Sequence, residues 1–189
     1  MPSRKKNKNK GILRIILYLV SVFLLLTIFL FRENLVQIIP PSWNIFEKNR
    51  ISNFGVKIDK IDILTPVVEE VDGENEEIYL DSLKKGVAHY KGSSFPGQKG
   101  NIFIFGHSST ETGFGRYAKI FERFGEIEKG DKISVYYKGD EYVYNVFEKS
   151  VIAANNTSVL KQTEEEQLTL MTCWPIGTDE KRMIIKASR

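Results

Sequence analysis

With 189 residues and a formal charge of +3, the chain has room for one domain with a buried core behind a leader, and none for a second catalytic domain. The positive sign argues for a nucleic-acid partner only until it is located. Arg4, Lys5, Lys6, Lys8, Lys10 and Arg14 supply +6 with no acidic residue among them, and subtracting that from +3 leaves residues 15–189 at −3, so no nucleic-acid partner is expected.

In chain order, residues 1–14 read as a basic cytoplasmic tail. Ile15 to Phe31 follows, seventeen residues without a charge, whose only hydroxyl-bearing members are Tyr18, Ser21 and Thr27. With Gly11 to Leu13 and a snorkelling Arg14 the segment reaches about 30 Å at ~1.5 Å per residue, the thickness of a hydrocarbon core. No small-residue cleavage site follows Phe31, where the chain runs Arg-Glu-Asn-Leu-Val-Gln. Residues 15–31 are therefore expected to be an uncleaved single-pass transmembrane signal-anchor helix, in preference to a cleaved signal peptide. Cations on its amino side put the N-terminus in the cytoplasm and the bulk of the chain on the far side of the cell membrane.

Residues 32–54 carry Pro40-Pro41, mixed charge and isolated large apolar residues without a sustained period, the pattern of a stalk or linker. Ile38, Ile39, Trp43 and Phe46 leave an amphipathic turn as the alternative. From there to the end, residues 55–189 form the one folded domain. Short runs rich in Val, Ile, Tyr and Phe alternate with turn residues every ten positions or so, which predicts strands at Lys57 to Leu64, Ile102 to Phe105, Lys132 to Tyr137, Glu141 to Ala153, Leu168 to Thr172 and Met183 to Ala187. Gly139-Asp140 resembles a hairpin turn. Helical signals are brief: Asp81 capping Ser82 to Lys85, the spacing of Tyr117, Ile120, Phe121 and Phe124, and Thr163 capping Glu164 to Gln167. The fold class is all-β with short helices, a compact barrel or sandwich.

Cys173 is the only cysteine, so no internal disulfide is possible. It ends the alternating run Leu168-Thr-Leu-Met-Thr and precedes Trp174-Pro175, which stops the ladder. A thiol held at a strand terminus faces a loop-lined cleft and suits attack on a carbonyl; the competing reading is a small apolar core residue. A catalytic thiol needs an imidazole to take up and return its proton. His107 occupies the matching place, after the apolar strand Asn101 to Phe105 and Gly106. His89, between Val87 and Tyr90, is better suited to packing, to bonding backbone or to lining the cleft from behind. Arg182, nine residues after Cys173 and just before another apolar run, returns beside the thiol if two antiparallel strands are neighbours. There a guanidinium would grip a developing oxyanion or the substrate backbone, where an isolated arginine is by default a solvated surface residue.

The stretch Leu168-Thr-Leu-Met-Thr-Cys173 with Pro175, Gly177-Thr178 and Arg182, preceded by Gly86-Val-Ala-His-Tyr90, Ser93, Pro96-Gly97, Gly100-Asn101 and Gly106-His107, resembles the sortase family over nearly the whole chain. The run Cys-Trp-Pro-Ile-Gly-Thr looks closest to its class D or E members. The resemblance implies a closed eight-stranded β-barrel behind the transmembrane helix. It also implies a cysteine transpeptidase without a cofactor. Cys173 would attack the Thr-Gly amide of an LPXTG-like sorting signal on a surface protein, giving a thioester. An amine of a cell-wall precursor or a pilin would resolve it. His107 would be the acid and base, and Arg182 would hold the oxygen or the signal. Substrate contacts are expected from Thr172, Trp174 and His89, and from Val159 and Leu160 in the loop Asn155 to Gln167. Trp174 has the equal alternative of packing on the barrel. The acidic run Glu164 to Glu166 reads as a solvated helix face in preference to a calcium site, so no metal is expected. The alternatives are a cysteine protease of the same fold and a non-catalytic surface binding module. A peptidoglycan transpeptidase of the L,D type lacks its His-Gly and Ser-x-Gly-Cys signatures here.

Overall fold

The computed structural model describes residues 11–14, 16–23, 50–109 and 115–189. The chain divides into two units, Met1–Ile45 and Phe46–Arg189. In the first, residues 11–14 and 16–23 are helical and exposed. Among the described residues no helix is long and apolar enough to cross a membrane. The expected tail, anchor and stalk fall in large part outside the described residues.

The second unit is built on eight strands: β1 Phe54–Ile58, β2 Ile63–Val71, β3 Val87–Tyr90, β4 Gly100–Phe105, β5 Lys132–Tyr137, β6 Asp140–Ala153, β7 Glu166–Trp174 and β8 Lys181–Ser188. They close into a barrel in the order β1-β2-β3-β4-β7-β8-β6-β5. Two neighbour pairs, β2 with β3 and β4 with β7, run parallel, and β1 seals the ring antiparallel to β5. Closure leaves no row of unpaired backbone groups along a sheet edge. The strands alternate as period-two sequences must. Ile102, Ile104, Leu168, Leu170 and Ile185 enter the core with Val56, Ile58, Ile133 and Val135. Met171 and Cys173 take the other parity on β7 and are half-buried.

Glu166, the first residue of β7, ties several segments together. Its carboxylate accepts from Gly97 N–H at 2.8 Å, from the Tyr144 hydroxyl and from Arg189 at 3.1 Å. The acidic run is therefore not a helix face. β7 already starts at Glu166, and Thr163 spends its hydroxyl on Glu165 O at 2.7 Å instead of capping a helix.

Other local expectations shift for equally local reasons. The run Lys57 to Leu64 is two strands, because the 3-10 turn Asp59–Ile61 and a left-handed Asp62 (φ 55°) fold it back on itself as β1 and β2. The β5–β6 hairpin turns on Lys138-Gly139, one residue earlier than expected. Tyr137 stands opposite Asp140, and both intervening residues have positive φ, the pattern a two-residue hairpin requires. The helix expected at Ser82 to Lys85 is instead Glu76–Leu83, capped by Asn75, whose side chain accepts from Ile78 N–H at 3.2 Å. Two acidic residues, Glu76 and Glu77, occupy its first turn, where the helix dipole favours them. The Tyr117 to Phe124 segment is a pair of 3-10 turns, Gly115–Tyr117 and Phe124–Glu126, whose aromatic side chains, with Phe121, are buried.

Candidate active site

Three strands deliver three side chains to one place. β7 and β8 are antiparallel with Cys173 opposite Arg182. β4 and β7 are parallel with Phe105 opposite Met171, so two residues further on His107 comes level with Cys173. The exit of β4 is fastened to β7 by two bonds: Gly106 N–H donates to Met171 O at 3.1 Å, and the Thr172 hydroxyl donates to Gly106 O at 2.8 Å. On its far side His107 O accepts from Phe121 N–H at 2.9 Å. Gly106 is required by this crowding, since a Cβ there would stand 2.8 Å from the Phe121 ring and 3.0 Å from Val87.

Beyond Cys173 the chain turns at Pro175, whose carbonyl accepts from Thr178 N–H at 3.0 Å. Arg182 is held from its own backbone: Nη1 donates to Asp179 O at 2.7 Å and Lys181 O at 3.0 Å. That leaves the rest of the guanidinium fork for a ligand.

His107, Cys173 and Arg182 line one cavity of about 300 Å³, with Thr172, Tyr79 and Asp179. The helix Glu76–Leu83 contributes Leu80 and Leu83 to its wall. A second cavity, about 250 Å³, is lined by Val159 and Leu160 with Tyr90, Phe103 and Glu74. The two share Gly73, Phe105, Met171 and Arg182 and so adjoin, with Cys173 lining the first.

Burial shifts both the thiol and the imidazole. It pushes the Cys173 thiol up, with Arg182 pulling it down and Asp179 adding to the rise. Burial also holds the His107 imidazole down. Both shifts favour the uncharged forms, a thiol at Cys173 and a neutral imidazole at His107. The Tyr79 hydroxyl is pushed up by burial and by Glu76, and it lies in the fields of Cys173 and Arg182.

Of the residues singled out from sequence, the cavities gather His107, Cys173, Arg182, Thr172, Val159 and Leu160. They do not gather the other two. His89 is fully buried in β3 among Phe54 and Phe95. Its Nδ1 accepts from Glu70 N–H at 3.4 Å, which leaves Nε2 to donate toward Ser94 O at 3.0 Å or Ser93 Oγ at 2.8 Å. Trp174 has the parity opposite to Cys173 and packs against the core cluster, over Gly125. Tyr79 and Asp179 were not singled out. The alternation of β7 could have revealed the placement of Trp174, but no one-dimensional pattern brings a helix residue such as Tyr79 over a strand end 94 positions away.

A closed eight-stranded barrel of this kind has counterparts among known proteins. The sortase domain family model covers residues 56–189. A sortase D of Bacillus subtilis (strain 168) is 35% identical over 138 residues, which are 71% of this chain and 62% of that protein. A sortase A of Bacillus anthracis is 26% identical over 130 residues, 69% of this chain and 56% of that one. The matches thus span less than two thirds of either relative. Among solved structures, a Clostridium perfringens sortase D5 transpeptidase superposes with a TM-score of 0.60 at 28% identity, over 72% of this chain and 78% of that one. Sortase A from Corynebacterium diphtheriae gives 0.62 at 26%, over 74% and 61%. The chain belongs to the sortase family.

Proposed function

We propose that the chain is a membrane-anchored sortase of the cell surface, a cysteine transpeptidase that cleaves an LPXTG-like sorting signal and passes the acyl group to an amine of a cell-wall precursor or a pilin. The observation that carries this reading is the convergence of Cys173, His107 and Arg182 from β7, the end of β4 and β8 on one cavity. Family membership supports the reaction class, and the uncharged run 15–31 behind six cations supports the anchor.

The chemistry starts from the uncharged pair that burial favours. Cys173 Sγ attacks the carbonyl carbon of the scissile amide while the neutral His107 ring takes the thiol proton. The carbonyl oxygen gathers negative charge, and Arg182 donates to it. Collapse expels the amine, which leaves with the proton held on His107, and a thioester remains. An incoming amine adds to the thioester and gives a proton to the now neutral imidazole. As the new amide forms, the thiol leaves and regains that proton. Val159 and Leu160 face the part of the signal that precedes the scissile bond, in the second cavity. Thr172 acts by fixing the backbone under His107.

The test is incubation of the full-length chain in detergent with a quenched LPXTG-type peptide library and triglycine, wild type against Cys173→Ala, read by mass spectrometry. Joined product from wild type alone is expected. Cleavage without joining would point to a protease of the same fold or to a native amine other than triglycine, and folded but inert wild type would overturn the enzyme reading.

A further inference from the structure

The wall of the second cavity formed by Val159 and Leu160 belongs to the 3-10 turn Thr157–Leu160, none of whose residues is buried. Val159 and Leu160 are only partly buried, so hydrophobic burial holds this turn weakly and hydrogen bonds supply the rest of its attachment. Asn156 caps it by accepting from Ser158 N–H at 3.0 Å, which shapes the turn without fixing it to the barrel.

The attachment comes from β4. Asn101 is 1% exposed, and its side-chain amide is fully used. Nδ2 donates to Val159 O at 2.8 Å and to Lys161 O at 3.3 Å, on either side of Leu160. Oδ1 accepts from the Thr169 hydroxyl at 2.7 Å and from Gln167 at 3.4 Å. The loop reciprocates through Gln162, whose Oε1 accepts from Asn101 N–H at 2.9 Å and lies 2.8 Å from Ser94 Oγ. The backbone at Gly100 passes so close that a Cβ would sit 2.1 Å from Ser94 Oγ and 2.4 Å from Gln162 Oε1, at a φ of +113° that disfavours side chains anyway. A buried amide with both ends satisfied is costly to leave half-bonded, so the loop and the strand are committed to one relative position.

We infer that Asn101 and Gln162 are positioning residues that lock the turn Thr157–Leu160 onto β4, so that the peptide groove is formed before a peptide arrives. Neither residue touches the reacting atoms. They act through the cavity wall, and the inference rests on the sorting-signal reading for its effect on peptide binding but not for the tether itself. A preformed groove spares a ligand the cost of ordering a loop, so the loss should fall on binding and not on chemistry.

The test uses the full-length chain in detergent with wild type, Asn101→Ala, Gln162→Ala and Gln162→Glu, the last keeping an acceptor for Asn101 N–H. Amide hydrogen exchange should speed up at residues 157–162 in both alanine variants while β4 and β7 stay protected, and Gln162→Glu should restore protection. Labelling of Cys173 by a small thiol reagent should be unchanged in all four. With the sorting peptide, KM should rise by about 5- to 50-fold in Asn101→Ala, the worth of one or two buried hydrogen bonds, with kcat changed less than about threefold. Wild-type exchange at 157–162 in both alanine variants would overturn the inference, as would a fall in kcat at constant KM or a failure of Gln162→Glu to rescue. If Asn101→Ala does not fold, the exposed Gln162 pair decides alone. If wild type joins no peptide, the function reading fails while the exchange data still decide the tether.

Discussion

Replacing Thr172 by valine removes a hydroxyl while nearly keeping the side chain's shape. That hydroxyl is 2% exposed with its residue and donates at 2.8 Å to Gly106 O, the carbonyl immediately before His107. Valine leaves the buried carbonyl without this donor, at a cost of about 1–3 kcal/mol. For a barrel of this size each kcal/mol lowers Tm by about 3–5 °C, so a drop of about 3–15 °C is expected in a thermal melt. The functional consequence is separate from stability. With one of the two bonds between Gly106 and β7 lost and only Gly106 N–H to Met171 O remaining, the imidazole can shift from the thiol, and a displacement near 1 Å is enough to cost about a hundredfold in rate. Turnover at a temperature where both proteins are folded should therefore fall in kcat with little change in KM. Thr172→Ser is the control. It keeps the donor and loses one methyl, about 1 kcal/mol, so it should melt slightly early yet retain most of kcat. A valine variant with wild-type kcat, or a serine variant worse than valine, would refute the claim that this bond positions His107.

Two further outcomes are expected. The thiolate is the species that reacts with alkylating reagents, and a thiol with an ordinary pKa near 8.5 is only about 3% ionised at pH 7. Burial holds Cys173 above that range, so its labelling rate should climb about tenfold per pH unit from 6 to 8 without levelling off. Removing the charge of Asp179, which adds to the rise, should speed labelling at pH 7, and removing that of Arg182, which opposes it, should slow it. A plateau across this interval would mean a resting thiolate–imidazolium pair instead. Glu166→Ala should destabilise the barrel by about 1–3 kcal/mol, since Tyr144 and Gly97 N–H lose their acceptor. Because that carboxylate is spent within the fold, a chelator should leave Tm unchanged; a chelator-induced drop would refute the assignment.

Much of the site could be read in one dimension because its members sit at strand ends. Cys173 and His107 each close an apolar alternating run at a breaker, and Arg182 opens the next strand at a separation a short antiparallel return permits. What the sequence does not encode locally is register across a parallel pair. β4 and β7 are joined through some sixty residues, and nothing near His107 says that Phe105 lies opposite Met171. The helix Glu76–Leu83 was misplaced because Asn75 and Asp81 are both competent caps, and only packing against the sheet chooses between them. Its loss from the expectation took Tyr79 with it. The acidic run failed for a similar reason: three successive carboxylates look solvated until Tyr144 and Arg189 converge on one of them. Likewise, His89 had the residue type of a site and the surroundings of a core.

The position of β8 ties closure of the ring to the make-up of the cavity. This strand fills the gap in the ring by pairing with β7 on one side and β6 on the other, and the same pairing sets Arg182 opposite Cys173. Without β8, β6 and β7 each present a raw edge and Cys173 has no cation opposite it. Ring closure and completion of the charged wall are then a single event. On the proposed reading, a barrel that loses β8 keeps its cysteine without the geometry to use it, and activity would report on an intact ring.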